Sequence, residues 1–131
     1  MKLEFIYEPV PRIIIRDDFT HEENKEILNE AIKNKEHNVP AVTGDNNKSD
    51  FRTNTVAYYD DIYQEDRNKS KLLKKLDDLF QDKLFKEVVS SAPYPLNLFS
   101  NSNYHETQVS RYGDSGQTYN YHIDAFTNTH R

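Results

Sequence analysis

Residues 111–124 read Arg111-Tyr-Gly-Asp-Ser-Gly-Gln-Thr-Tyr-Asn-Tyr-His-Ile-Asp124 and are the most informative stretch of the chain. Glycines at 113 and 116 suit a turn, because glycine adopts positive φ without steric cost. A turn at this place predicts a β-hairpin, with strands at roughly residues 105–112 and 117–126. In a strand, side chains two residues apart lie on the same face, so we expect His122 and Asp124 to project together.

The pair His122 and Asp124 forms a candidate metal site. An imidazole and a carboxylate side by side are two of the three ligands of the facial triad that binds non-haem Fe(II). The alternative is an ordinary solvent-exposed face, since Thr118 and Asn120 share it and a half-buried strand keeps one face wet. A His-x-Asp triplet alone is weak evidence, because so short a motif recurs by chance.

Composition limits the classes of function that the chain can have. Its 131 residues suit a single domain or a fragment of one, and a net charge of −5 argues against nucleic-acid or anionic-membrane partners. The absence of cysteine excludes disulfides and thiolate metal sites. The N-terminus is too polar for a signal peptide, and no apolar run is long enough to span a membrane. We therefore expect a cytoplasmic protein.

The N-terminal region predicts a strand region followed by a helix. Residues 2–16 contain alternating apolar residues and then a β-branched run at 13–15, both typical of strands. Thr20 and Glu23 have the spacing of a capping box, which predicts a helix from there to about Lys33. We expect this helix to bury one apolar stripe, formed by Ile27, Leu28, Ala31 and Ile32.

The rest of the chain predicts a strand, a second helix and then more strands. Residues 51–63 look extended, residues 68–90 follow helical spacing, and residues from 96 onward look like β-structure. This order predicts an α+β domain over 1–131, with helices packed on one face of a sheet. Within it, residues 1–95 form a strand and helix region, and residues 96–131 carry the strands with the His-x-Asp motif.

An acidic cluster at Asp60-Asp61 and Glu65-Asp66 has the charge to attract Ca²⁺. It lacks the glycine and the ligand spacing of a calcium-binding loop. A solvated turn, whose negative charge favours the start of the following helix, is the better interpretation.

Several motifs together resemble the Fe(II)/2-oxoglutarate-dependent dioxygenases, specifically the prolyl 4-hydroxylase-like branch. That family has a Tyr, a glycine-rich turn, an aromatic residue and then His-x-Asp, matched here by Tyr112, residues 113–116, Tyr119 and residues 122–124. Residues 15–23 resemble the family's passage from a strand to a capped helix, and residues 51–54 resemble its Arg-Thr-Ser strand. The close match covers about twenty residues, and the order of elements matches over nearly the whole chain.

The resemblance implies a fold and an activity. It implies part of a double-stranded β-helix, or jelly roll, that looks truncated, with the N-terminal helices packed on the sheet. His122 and Asp124 would bind Fe(II), and Tyr112 would donate a hydrogen bond to 2-oxoglutarate, the cosubstrate. The implied reaction uses O₂ to hydroxylate a prolyl or other amino-acid side chain, in a peptide or small-molecule substrate, while cofactor and cosubstrate carry the oxidative chemistry.

The chain departs from the family pattern at the third iron ligand. The family has a later His followed by a basic residue; here His130 lies in an expected loop, and His105 begins the first hairpin strand. We therefore expect a fragment of a longer enzyme, or a complementing chain or self-association at an open sheet edge. The alternatives are a truncated or inactive relative that acts as a protein-binding module, and a non-enzymatic metal-binding β-domain of the cupin type.

Overall fold

The protein is described by a computed structural model, which covers residues 2–42, 52–93, 106–113 and 116–122. In these ranges the fold is α+β, as the element order predicted. The strands are β1 (Lys2–Ile6), β2 (Arg12–Arg16), β3 (Val39–Pro40), β4 (Thr55–Tyr58) and β5 (Gln108–Arg111). The α-helices are α1 (His21–Lys33), α2 (Tyr59–Ile62) and α3 (Lys71–Asp78); α3 continues as a π-helix, Leu79–Val89, and short 3₁₀ turns lie at Lys35–His37 and Arg67–Lys69.

Two small antiparallel sheets organise the described strands. Strands β1 and β2 lie in the region predicted to be extended, and they form a hairpin in which Leu3 pairs with Ile15 and Phe5 with Ile13. The second sheet has the order β3-β4-β5, so β4 lies between two antiparallel neighbours. The expected strand at 51–63 is shorter than predicted, because the chain turns into α2 at Tyr59.

Helix α1 begins and ends where the sequence predicted. The Thr20 hydroxyl accepts a hydrogen bond from the Glu23 backbone N–H (3.1 Å), and the Glu23 carboxylate accepts one from the Thr20 N–H (2.8 Å). This reciprocal capping box satisfies two backbone donors that the first turn of a helix leaves without partners. The helix then runs to Lys33.

The buried face of α1 differs from the predicted apolar stripe. Leu28 and Ile32 are 60% and 58% exposed, whereas Glu30 and Asn34 are buried. Glu30 Oε2 accepts a hydrogen bond from the Leu72 N–H in the first turn of α3 (3.1 Å), and Asn34 Nδ2 donates to the Tyr63 hydroxyl (2.9 Å). These long-range hydrogen bonds offset the cost of burying polar groups. The prediction that Leu28 and Ile32 are core residues is therefore wrong.

The hydrophobic core lies between β4 and the helices that follow it. Ala57, Tyr59 and Leu73 form a buried cluster, and Leu72 and Val109 pack against it. The helix predicted over residues 68–90 is α3, which begins at Lys71, three residues later than predicted. It begins there because the Ser70 hydroxyl accepts a hydrogen bond from the Leu73 N–H (3.0 Å) and caps the first turn. Helices therefore pack on the sheet, as expected.

Truncating Leu28 and Leu73 in separate variants tests which face of α1 is buried. We expect Leu73→Ala to lower the free energy of unfolding by about 2–5 kcal/mol, since the side chain is fully buried. Leu28→Ala should cost less than about 1 kcal/mol, because the exposed side chain leaves no cavity. Urea denaturation measures both values. Equal losses in the two variants would contradict the observed orientation of α1.

A charged contact fixes α1 against α3. Lys75 Nζ donates to the Glu23 carboxylate (3.1 Å) and to the Asp18 carbonyl (2.9 Å), and it lies 5.1 Å from the centre of the Phe19 ring. The hydrogen bond from the Thr20 N–H, together with Lys75, lowers the pKa of Glu23 below its usual value. The ionised carboxylate is thus favoured in the folded state.

The lowered Glu23 pKa predicts how stability depends on pH. A carboxylate with a depressed pKa stabilises the fold above its unfolded pKa, and this contribution is lost as the pH falls through its folded-state pKa. We expect wild type to be more stable than Glu23→Gln at pH 7, with the difference shrinking below about pH 4. Denaturation across pH measures it, with Glu65→Gln as the exposed control. A difference that is independent of pH would refute the role of ionisation.

Candidate functional site

Residues 118–119 lie along the same edge of the β4 segment as β5 does. The Tyr59 N–H donates to the Thr107 carbonyl (3.0 Å), so odd-numbered residues of this strand direct their N–H groups toward β5. Thr53 is also odd-numbered, and its N–H donates to the Thr118 carbonyl (2.8 Å). Beside this hydrogen bond, Arg52 and Tyr119 form an isolated β-bridge. Residues 118–119 therefore extend the β5 side of the sheet.

This pairing corrects the predicted hairpin. Among the described residues of 105–112 and 117–126, β5 pairs with β4, and Tyr119 pairs with Arg52 rather than with β5. The physical reason is that the backbone before β4 requires partners, and Thr118 supplies both a carbonyl for the Thr53 N–H and an N–H for the Thr53 hydroxyl (2.8 Å).

Three side chains stack at this end of the sheet. The Arg52 guanidinium lies 4.4 Å from the centre of the Tyr119 ring, and the His122 ring stacks on Tyr119 with centroids 3.8 Å apart and planes 10° apart. Arg52 is held in turn by a hydrogen bond from its Nε to Asn54 Oδ1 (3.1 Å). A cation over an aromatic face is attracted by the ring quadrupole, so the stack fixes the Tyr119 ring from one side.

The stack also shows that residues 119–122 are not a regular strand. In a strand, positions 119 and 122 would lie roughly 10 Å apart on opposite faces, at about 3.3 Å per residue. Ring contact between Tyr119 and His122 requires a bend, and the Tyr121 side chain is fully exposed. Asp124 lies outside the described residues, so its shared face with His122 stays a prediction.

The hydrogen bond of His122 assigns its neutral tautomer. His122 Nδ1 lies 2.8 Å from the Asn120 carbonyl oxygen. A carbonyl can only accept, so Nδ1 carries the proton, and in the neutral ring the lone pair is on Nε2. Metal-binding histidines commonly donate one ring N–H to a backbone carbonyl, which orients the other nitrogen toward the metal.

Tyr112 directly follows β5, and its side chain is 51% exposed. The described residues bring His122 together with Tyr119 and Arg52, but no group of three His, Asp or Glu side chains among them is arranged to hold a metal ion. The remaining ligand candidates from the sequence, which are His105, Asp124 and His130, lie outside the described residues.

The acidic cluster has a structural role that sequence reasoning missed. Asp60 accepts hydrogen bonds from Arg67 and from the Thr107 N–H, and Arg67 also pairs with Asp77 (3.0 Å). The hydrogen bonds that Arg67 donates to Asp77 and Asp60 raise its pKa above its usual value. The cluster is thus more than a solvated turn. These partners lie up to 47 residues apart, so no local pattern indicates them.

A groove separates α1 from β5 and is a second candidate site. We call it the α1–β5 groove; its volume is about 470 Å³, within the range of ligand pockets. Apolar residues of α1 form one wall, residues 109–112 form the other, and the core residues Ala57 and Tyr59 lie between them. The sequence suggested no groove here, because it assigned Leu28 and Ile32 to the core.

No protein-family model matches the chain, and no significant similarity to a curated protein or to a solved structure was found. Within the described ranges, no helix combines the length and apolar character needed to cross a bilayer. The function is therefore argued from the residues of the two candidate sites.

The stack predicts a measurable effect on the His122 ring. Protons above the face of an aromatic ring are shielded, so Tyr119→Ala should move the His122 ring proton signals downfield in an NMR spectrum. Tyr121→Ala is the matched control, since that ring is fully exposed and makes no ring contact with His122. Unchanged His122 signals in Tyr119→Ala would contradict the stacked arrangement.

Proposed function

We propose that this chain carries the iron- and cosubstrate-binding residues of an Fe(II)/2-oxoglutarate-dependent hydroxylase. His122 and Asp124 bind the metal in this proposal, and Tyr112 binds 2-oxoglutarate. The substrate is a prolyl or other amino-acid side chain. The β4 and β5 pair would then belong to a double-stranded β-helix.

The observation that carries this proposal is the tautomer of His122. Its Nδ1 proton is donated to the Asn120 carbonyl, and its ring is held flat against Tyr119, so Nε2 presents a lone pair from an oriented ring. A neutral imidazole and a carboxylate suit Fe(II), which accepts nitrogen and oxygen ligands. The imidazole of His122 and the carboxylate of Asp124 are therefore suitable ligand types for Fe(II).

Tyr112 supports the proposal through its chemistry and its position. Its phenol is a neutral hydrogen-bond donor, suited to a carboxylate of the cosubstrate, and about half of its surface is accessible. Arg111 precedes it on β5 and adds positive charge at the same place, which favours a dianion.

Bound Fe(II) and 2-oxoglutarate would supply the oxidative chemistry, hydroxylating an unactivated C–H bond with O₂ and releasing succinate and CO₂. The chain's own contribution is orientation. His122 and Asp124 hold the metal with positions left for cosubstrate and O₂, Tyr112 fixes the cosubstrate, and the Arg52–Tyr119 stack restricts rotation of the His122 ring.

A second candidate function, protein binding without catalysis, is favoured by a different observation. Leu28 and Ile32 expose more than half of their surface in the α1–β5 groove, which is unusual for adjacent large apolar residues on one helix face. Binding of a partner there would not require His122.

The iron proposal predicts a specific spectrum. Under anaerobic conditions, Fe(II) with 2-oxoglutarate and the protein should produce the weak visible charge-transfer band of a chelated complex. His122→Ala should abolish the band. His37→Ala is the matched control, because His37 is an exposed histidine far from the site in sequence and should leave the band unchanged. Tyr112→Phe should weaken 2-oxoglutarate binding by about tenfold, the loss expected for a hydrogen bond to a charged group, with the Fe(II) affinity unchanged.

Two results would count against this function. One is the absence of both the band and any 2-oxoglutarate-dependent succinate formation in wild type. The other is a band that survives in His122→Ala but disappears in His37→Ala, which would place the metal at another histidine.

A further inference from the structure

One wall of the α1–β5 groove is a regular helical stripe. Leu28, Ala31, Ile32 and Lys35 have the spacing i, i+3, i+4 and i+7, so they lie along one side of α1 and the turn that follows it. The first three are apolar, and the last carries a positive charge. The stripe therefore changes from apolar to cationic along its length.

The other wall is the outer edge of β5. Four consecutive residues, 109–112, line the groove, although neighbouring side chains of a strand point to opposite faces. The groove therefore includes the backbone edge of β5 as well as the sheet face on which Ala57 of β4 lies. Because Val109 and Arg111 direct their backbone groups toward β4, Ser110 directs its N–H and C=O outward, and β5 is the last strand of its sheet in the described part of the chain.

The charges of the groove are one-sided. Lys35 and Arg111 both line it. Among the described residues, no Asp or Glu lines the groove, and neither cation has an ion pair. A hydrogen bond from Asn38 Nδ2 to the Thr55 hydroxyl (3.1 Å) brings the Lys35 end of α1 to the place where Thr55 pairs with Arg111. Both cations thus lie toward one end of the groove, in a chain whose net charge is −5.

We infer that the α1–β5 groove binds an extended acidic peptide from a partner protein. The peptide adds a strand to the outer edge of β5, with an apolar side chain against Leu28, Ile32 and Val109 and carboxylates near Lys35 and Arg111. Main-chain hydrogen bonds to a strand edge provide affinity, while side-chain pockets and charges provide selectivity. The outward N–H and C=O of Ser110 favour a peptide over a small amphiphilic carboxylate, because the carboxylate has no peptide backbone to pair with a strand edge.

This inference does not rest on the iron proposal. His122 does not line the groove, and binding can be measured on metal-free protein. Loss of peptide binding and loss of metal binding are therefore separate results.

Peptide titrations followed by amide NMR signals test the inference. The probes are the blocked hexapeptide Asp-Asp-Val-Leu-Val-Thr and its reversed sequence, which cover the two strand directions. At least one should shift the Ser110 amide and the methyl signals of Leu28 and Ile32. Replacing both Asp residues by Lys should weaken binding by about fivefold or more, as expected when exposed ion pairs are lost.

Charge-reversed and apolar variants have matched controls. Arg111→Glu should weaken binding of the acidic peptide by about fivefold and strengthen binding of the Lys peptide, whereas Lys33→Glu, on a different face of α1 from the stripe, should change neither. Leu28→Ser with Ile32→Ser should weaken binding, and Val10→Ser, at an exposed position that does not line the groove, should not. All of these side chains are exposed, so the variants are expected to fold.

Three outcomes would overturn the inference. The first is equal affinity of the acidic and Lys peptides. The second is decanoate, tested as the amphiphilic alternative, shifting the Ser110 amide while both acidic peptides leave it unmoved. The third is a shift of the same signals on dilution of the protein alone, which would make the groove a contact between two copies of this chain.

Discussion

The hydrogen bond between the Leu72 N–H and Glu30 fixes the orientation of α1, and much of the described structure depends on it. A buried carboxylate is costly unless it is hydrogen-bonded, and here it accepts a backbone donor at the start of α3. Negative charge is also favoured at this end of a helix by its dipole. Glu30 thus caps α3 together with Ser70, and the helix that supplies it cannot rotate without breaking the cap.

That orientation has a cost and a consequence. With Glu30 and Asn34 facing the interior, the two large apolar residues Leu28 and Ile32 face outward. Full burial of such a side chain contributes roughly 1.5–3 kcal/mol, and a partner covering the groove would recover the part of it that the exposed surface forgoes. The polar contact that positions α1 therefore also creates the apolar wall of the α1–β5 groove.

Strand β4 is the second organising element. It pairs with β3 on one edge and with β5 on the other, and the residues just before it pair with residues 118–119. Its buried residues Val56 and Ala57 point to opposite faces of the sheet, and Ala57 packs with Tyr59 and Leu73 in the core cluster. Both candidate sites are attached to this strand, since β5 forms one wall of the groove and Arg52 supports the stack on His122.

Local features of the fold could be predicted from the sequence, and non-local ones could not. The capping box of α1 was predictable because Thr20 and Glu23 are three residues apart and stabilise each other directly. The partner of residues 118–119 was not, because it lies 65 residues earlier and a glycine turn suggests the nearest strand instead. Likewise, an apolar stripe indicates a face that prefers burial, but competing polar contacts decide whether it is buried.

The candidate metal site also has local features that the sequence could predict and non-local features that it could not. The sequence singled out His122 by its spacing to Asp124, yet the tautomer and the ring orientation come from Asn120 and from a stack that includes the distant Arg52. No motif encodes that support. Spacing can therefore propose ligands, whereas their orientation depends on contacts that only the fold reveals.

Tyr112 has a part in both proposals. It lines the groove beside Arg111, and it is also the residue proposed to hold 2-oxoglutarate. A dicarboxylate and an acidic peptide would both be attracted to the same cationic end, and one phenol cannot donate its single proton to both at once. If both proposals hold, the two ligands should oppose each other at Tyr112, so occupancy of the groove would lower the affinity for cosubstrate. By linkage, the cosubstrate would lower the affinity for the peptide by the same factor.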